Sequence, residues 1–281
     1  MEVPKLQHLT HGNTRDNRPR PSFFVTGQPG VGKTLLLAEL ALKLANATPE
    51  EIMVGIHPLD EEGLETLHDR PFHWFKIPTM AAQDELYQLS LKIKPKAIIM
   101  DNLGAAWWMA FKTRCPDGVM PEDHGKTWNK LAGDVMYEIV TRFKMHPWVQ
   151  FFGAGSLVLP MEDTYTLQQD SPTKGPKIEK LQTVLPGQLR GTIYGLFSYC
   201  LNIKTTMHRL DGETEPREFR VCETRPFSGA VAKVRAPLSA QPKPSFMYDL
   251  AHPKYGIERV ITQLRIGGID GKVEAVGNTK V

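Results

Sequence analysis

Ser22-Phe23-Phe24-Val25-Thr26-Gly27-Gln28-Pro29-Gly30-Val31-Gly32-Lys33-Thr34, followed by Leu-Leu-Leu-Ala-Glu-Leu-Ala-Leu-Lys-Leu, decides the fold. An apolar, aromatic-rich strand runs into three glycines and a helix-forming stretch follows them, which is the context that GxxxxGK[ST] requires. Glycine at 27, 30 and 32 lets the backbone turn tightly enough to aim successive N–H groups at phosphate oxygens, and the helix start adds its positive end. In that chemistry Lys33 reaches the β- and γ-phosphates and the Thr34 hydroxyl ligates Mg²⁺. The expected nucleotide-contacting residues are Gly27, Gln28, Pro29, Gly30, Val31, Gly32, Lys33, Thr34 and Leu35. A glycine-rich turn without a ligand is the plainer alternative, and the flanking strand and helix argue against it.

Such a loop needs a carboxylate to hold the magnesium through water. Lys96-Ala97-Ile98-Ile99-Met100-Asp101-Asn102 is an apolar run too short for a helix that ends in Asp. That is the pattern of a buried parallel strand delivering a carboxylate at its C-terminal edge. Core strands also end in Asp for turn reasons, but here the loop creates a demand that Asp101 meets.

Outward from these two segments, strand and helix alternate. The helix after the loop extends to about Ala47; Glu51–Ile56 and Phe72–Ile77 are short strands, and Met80–Ile93 has helical periodicity. Asp123–Lys144 is a further helix, with Trp128, Leu131, Val135, Ile139 and Phe143 at spacings of three or four, before a strand Val149–Phe152 that closes in Gly153-Ala154-Gly155-Ser156. The pattern predicts an α/β nucleotide-binding core around a mostly parallel sheet. Two polar stretches interrupt it. Arg114–Lys126 follows the aromatic run Trp107-Trp108-Met109-Ala110-Phe111, whose adjacent tryptophans either stack nucleobases or pack inside. Leu159–Gly187 is long enough to be a functional or a mobile loop. Tyr199–Met207 and Glu218–Thr224 flank Asp211-Gly212 as a late hairpin, and Ala230–Arg235 is one more strand, with Lys233 and Arg235 on one face. Those two cations serve either as solvated edge protection or as a phosphate clamp. A Pro-rich link, a helix near Ile257–Leu264 and a Gly-rich tail complete the chain, giving an arm (1–20), a core (21–238) and a C-terminal extension (239–281).

Composition excludes other classes. With 281 residues, 41% hydrophobic and 23% charged, the chain is globular and not disordered, and no apolar window approaches the ~18 residues of a membrane span. Three cysteines (Cys115, Cys200, Cys222) are too few for a disulfide framework, which points to a reducing cytoplasm. The net charge of +3 hides an uneven spread: five Lys/Arg against two Asp/Glu in 1–33, sixteen against twenty in 34–203, and thirteen against nine in 204–281. Basic ends hint at an anionic partner, although an ordinary solvated surface explains them equally well.

The order of these segments resembles phage RecA-like ATPases, and among them the short nucleotide-binding proteins of single-strand DNA annealing and recombination. The residues that carry the resemblance are the Gly27–Thr34 loop, the strand ending at Asp101, Asp123-His124-Gly125-Lys126, the strand before Ser156, Leu185-Pro186-Gly187-Gln188-Leu189-Arg190 and Ala232-Lys233-Val234-Arg235. It covers roughly residues 20–240, and only the loop is specific by itself. It implies a RecA-like P-loop core that binds ATP and Mg²⁺, a homo-oligomeric ring or filament with nucleotide at subunit junctions, and two DNA-facing loops at Arg114–Lys126 and Leu159–Gly187. It further implies that Lys233 and Arg235 reach a neighbour's γ-phosphate, and that Ser156 senses that phosphate.

The resemblance also implies a catalytic Glu at the end of the strand after the loop helix. That strand continues Ile56-His57-Pro58-Leu59-Asp60-Glu61-Glu62, so the acid arrives several residues late. Either Glu61 (or Glu62) curls back to orient water, or the protein binds nucleotide with little turnover. The expected function is therefore an ATPase acting on single-stranded DNA in phage recombination, annealing or replication, in the cytoplasm of the host if the chain is phage-encoded. The alternative is a nucleotide-dependent structural or loading partner. No arginine-rich lid segment follows the Asp101 strand, which disfavours a small-molecule kinase. The loop does not fix ATP over GTP.

Overall fold

The computed structural model describes residues 20–57, 67, 70–122, 125–163, 178–183, 185, 189, 192–210, 212, 214–225, 232–234 and 241–266; for 159–163 and 178–183 it describes the backbone alone. The first strand, β1 (Ser22–Gly27), is buried along its whole length. Because successive side chains leave a strand on opposite faces, Phe23 and Phe24 anchor two different cores. Phe23 stacks on Phe151 and Tyr199, while Phe24 packs against Tyr194 and Phe197.

The loop after β1 leads into α1 (Lys33–Leu44), then β2 (Ile52–Ile56), β3 (His73–Lys76), α2 (Met80–Ile93), β4 (Ala97–Asp101) and α3 (Leu103–Arg114). α2 and α3 start on side-chain caps: Thr79 Oγ1 accepts from the Ala82 N–H at 3.2 Å, and Asn102 Oδ1 from the Ala105 N–H at 2.8 Å. The next helix is continuous but not uniform. It comprises α4 (Lys126–Gly133), a π-helical stretch Asp134–Thr141 and α5 (Arg142–Lys144). Thr141 Oγ1 donates to Met136 O at 2.5 Å, five residues back, where the wider π turn brings the two groups together. β5 (Phe151–Asp163), β6 (Ile178–Thr183), β7 (Tyr199–His208), β8 (Arg217–Glu223), β9 (Lys233–Val234), β10 (Ser245–Tyr248) and α6 (Ile257–Leu264) follow.

The sheet order is β10-β8-β7-β1-β5-β4-β2-β3. From β3 to β7 every pair is parallel; β8 runs antiparallel to β7, β10 to β8, and β9 pairs with the start of β7. α1 and α6 cover the face of Phe23, and α2, α3 and the long helix cover the face of Phe24. The expected α/β architecture with a mostly parallel central sheet and a late hairpin is therefore present. Burial of both faces explains why Phe23–Val25 and Ala97–Met100 are continuous apolar runs and not alternating ones.

Two strands differ from the sequence expectation. Part of the polar Leu159–Gly187 stretch is an antiparallel pair, with β5 running on to Asp163 and Val158 opposite Thr183 on β6. Backbone pairing needs no apolar alternation, so a polar composition hid it. β10 is four residues long behind Pro242 and Pro244, too short for a period, yet Phe246 and Tyr248 are buried in the core with α1 and α6. The sheet thus continues past residue 238. Cys115, Cys200 and Cys222 are all buried free thiols. Among the described residues, no helix is long and apolar enough to cross a membrane.

His57, one residue beyond β2, is fully buried; its N–H donates to Asp101 O at 2.8 Å and its Nε2 lies 3.1 Å from Gln83 Oε1. Burial pushes the imidazole down to about 4, with the Gln83 and Asp101 hydrogen bonds opposing the shift. The unfolded chain takes a proton near pH 6.5 that the buried ring refuses, so the stability contributed by His57 is complete above about pH 6.5 and is lost as pH falls towards about 4, by about 2 kcal/mol at pH 5. Burial also lowers His146, which adds to the same trend. Urea unfolding between pH 7 and pH 5 should show this slope, and His57→Gln should flatten it; an unchanged slope in the variant would assign the pH dependence to other groups.

Candidate functional site

β1 is where the strand order reverses direction. The chain leaves it towards β2 and β3 on one flank, returns through β4 and β5, and then crosses to β7 and β8 on the other. Ligands of open α/β sheets bind beyond the carboxyl ends of strands at such a point, and the Gly27–Thr34 loop lies there. Gly30 and Gly32 hold φ of 76° and 84°, a left-handed conformation that side chains resist. Gly32 is the N-cap of α1 and offers no side-chain cap, and the first turn of α1 contains no acid.

Lys33, Thr34 and Asp101 converge here. Lys33 is nearly buried, and its Nζ donates to Gln28 O at 2.9 Å and Gly27 O at 3.3 Å, folding the amine back over its own loop. Thr34 Oγ1 donates to Asp101 Oδ2. Asp101 is 3% exposed; burial pushes its carboxyl above the ordinary range, against the opposing pull of the Thr34 hydrogen bond and the Lys33 charge. β5 lies between β1 and β4, so this contact has to pass over a strand. Gly155 makes that possible, because a side-chain carbon there would overlap Asp101 Oδ1.

This donor set fits Mg²⁺. A desolvated carboxylate and a hydroxyl in contact are hard oxygen ligands of the kind that Mg²⁺ takes. Among the described residues, no group of three or more His, Cys, Asp or Glu side chains could hold a metal alone. Mg²⁺ does not need one, since it is held by one or two protein oxygens together with phosphate and water.

Ser156 and Lys233, the other expected catalytic or sensing residues among the described ones, lie elsewhere. Ser156 is buried on β5 opposite Thr26, on the face turned away from Asp101 by the strand alternation, and its hydroxyl donates to Leu157 O at 3.3 Å. Lys233 pairs with Cys200, level with Phe24 at the opening end of β1, so it stands roughly three residues, or about 10 Å, behind its own loop. Arg235, Glu61 and Glu62 lie outside the described residues. His57 occupies the end of β2, where the resemblance implies a carboxylate. Of the adjacent tryptophans, Trp107 is buried and stacks on Phe111 and Trp128, whereas Trp108 is 51% and Trp128 41% exposed.

Sequence reasoning missed a buried polar chain beside the loop. Thr26 Oγ1 donates to Asn202 Oδ1 at 3.2 Å, Asn202 Nδ2 to Glu223 Oε2 at 2.8 Å, and Lys204 Nζ pairs with Glu223 Oε1 at 2.6 Å. It ties β1 to β7 and β8, and only the register of strands far apart in sequence brings its members together. No protein-family model matches the chain, and no curated protein matches its sequence.

Gly155→Ala should force the Asp101 carboxylate off Thr34. Overpacking of this kind costs about 1–3 kcal/mol, so a lower melting temperature is expected together with loss of Mg²⁺-dependent nucleotide binding. Wild-type Mg²⁺ dependence in a folded Gly155→Ala protein would remove Asp101 from the metal site.

Proposed function

We propose that the chain is a P-loop NTPase with a RecA-like core that binds Mg·ATP on Gly27–Thr34 and hydrolyses it, working as a homo-oligomer on single-stranded DNA. The observation that carries this proposal is the convergence of Lys33, Thr34 and buried Asp101 at the switch point of the sheet. The ordered series of segments described above supports the RecA-like assignment.

Positioning and charge neutralisation would supply the catalysis. Lys33 would exchange the carbonyls of Gln28 and Gly27 for phosphate oxygens, and the loop N–H groups would hold the phosphate chain. Thr34 and Asp101 would hold Mg²⁺, which when bound supplies the positive charge that offsets the developing charge of the transferred phosphate. Glu61 is the carboxylate assigned to orient water. Lys233 stands behind its own loop, which favours its action with Arg235 on the nucleotide of a neighbouring subunit. The half-exposed Trp108 and Trp128 offer ring faces on which unpaired bases could stack.

A second proposal, nucleotide-driven assembly with little turnover, is favoured by one observation: a neutral, buried His57 stands at the end of β2. One experiment separates the two. ATP turnover is measured for wild type and Lys33→Ala, with and without single-stranded DNA, alongside sizing by light scattering. Turnover stimulated by DNA and reduced about 100-fold in Lys33→Ala is expected. A flat response to DNA overturns the DNA partner, and equal turnover of the two proteins overturns the site. Assembly on ATP without turnover selects the second proposal.

A further inference from the structure

Arg220 lies against the loop from the flank opposite Asp101. It is on β8, opposite Thr205 of β7 and Tyr248 of β10. By the alternation of the strand it shares a face with Cys222, which packs in the core beneath α1. A side-chain carbon built on Gly32 would come within 3.7 Å of Arg220 Nε, so this guanidinium borders the last glycine of the loop, at the first turn of α1.

Three positive groups meet at the loop, with the Asp101 carboxylate on the far flank and Glu218 beside Arg220. The positive end of α1, the Lys33 amine and Arg220 are gathered at one loop, and the first turn of α1 has no acidic residue. Arg220 pairs with Glu218 at 3.4 Å, but Glu218 is 52% exposed and the Arg220 side chain 28%. A long pair of this kind with an exposed carboxylate compensates little, and it leaves most of the five guanidinium donors for another acceptor. Cations held together in this way are stabilised by an anion that bridges them.

We propose, resting on the nucleotide assignment above, that Arg220 binds the diphosphate end of the nucleotide, on the α-phosphate side. The two flanks of β1 divide the work. Thr34 and Asp101 take the metal and the terminal phosphate on the β5–β4 side, while Arg220 takes the α/β-phosphate charge from the β7–β8 side. A contact on that side is present in both nucleoside di- and triphosphate complexes. Arg220 therefore contributes affinity for both without discriminating between them, and its forked donors suit a phosphate better than a lysine would.

The test is equilibrium binding of fluorescent ADP and ATP analogues, with Mg²⁺, to the full chain as wild type, Arg220→Gln, Arg220→Lys and Glu218→Gln, each with its melting temperature without nucleotide. Arg220→Gln should weaken both nucleotides by a similar factor, about tenfold or more. Arg220→Lys should recover part of the loss, and Glu218→Gln should stay within about twofold of wild type. Arg220→Gln binding as tightly as wild type overturns the proposal. So does an equal loss in Glu218→Gln, which would make the arginine a partner of that carboxylate alone. If Arg220→Gln does not fold, Arg220→Lys decides: a loss of about three- to tenfold for both nucleotides supports the proposal, and wild-type affinity overturns it. Failure of the wild type to bind either nucleotide overturns the phosphate-loop assignment itself, and Arg220 with it.

Discussion

Contact between the Thr34 hydroxyl and the Asp101 carboxylate, made over the top of an intervening strand, sets the geometry around it. α1 must sit low on the sheet for that reach, and β5 presents two glycines on the face beneath it. A side-chain carbon at Gly153 would come within 2.8 Å of Leu37 Cδ2, and one at Gly155 would overlap Asp101. The two form a trough into which Leu37 and Asp101 settle. The height of α1 fixes the path of the loop, and the loop fixes Lys33 over the carbonyls of Gln28 and Gly27.

Buried charge near the loop is handled in two ways. On the face away from α1, Glu223 is fully buried but satisfied by Lys204 and Asn202, and through Asn202 it grips Thr26 at the end of β1. That chain is complete and costs little to hold dry. On the α1 face Asp101 is nearly as buried, and among the described residues the Thr34 hydroxyl donates to it and the Lys33 charge lies near it. Glu223 fastens β1 to β7 and β8, whereas burial holds the Asp101 carboxyl above its ordinary range against the pull of Thr34 and Lys33.

Local chemistry made much of this legible. The loop, Asp101, α2 at Met80–Ile93 and α6 at Ile257–Leu264 could be read from sequence because each depends on neighbours within a few residues: glycine spacing, a strand-terminal acid, a 3.6-residue period. β6 and β10 could not, since their pairing is carried by backbone hydrogen bonds to partners whose identity leaves no mark on composition. Gly155 stood in the segment that closes the expected strand Val149–Phe152, and its purpose emerges only once β4 lies beside β5 in register. Arg220 is the same case on the other flank. In Arg217-Glu218-Phe219-Arg220-Val221-Cys222-Glu223 nothing local distinguishes it from a solvent-facing cation. Its place beside Gly32 follows from two strand crossings.

β1 also imposes a schedule on the growing chain. Its two neighbours are β5 and β7, with Phe23 opposite Gly153 on one side and Tyr199 on the other. An aromatic, doubly buried strand therefore waits for partners made long after it. At typical synthesis rates the second partner emerges roughly 10–30 s later, and non-local pairings of this kind close slowly. Until β5 emerges Ser22–Gly27 has both edges open, and until β7 emerges it keeps one open. The contacts that bury the strand in the finished protein thus leave it in need of protection during synthesis.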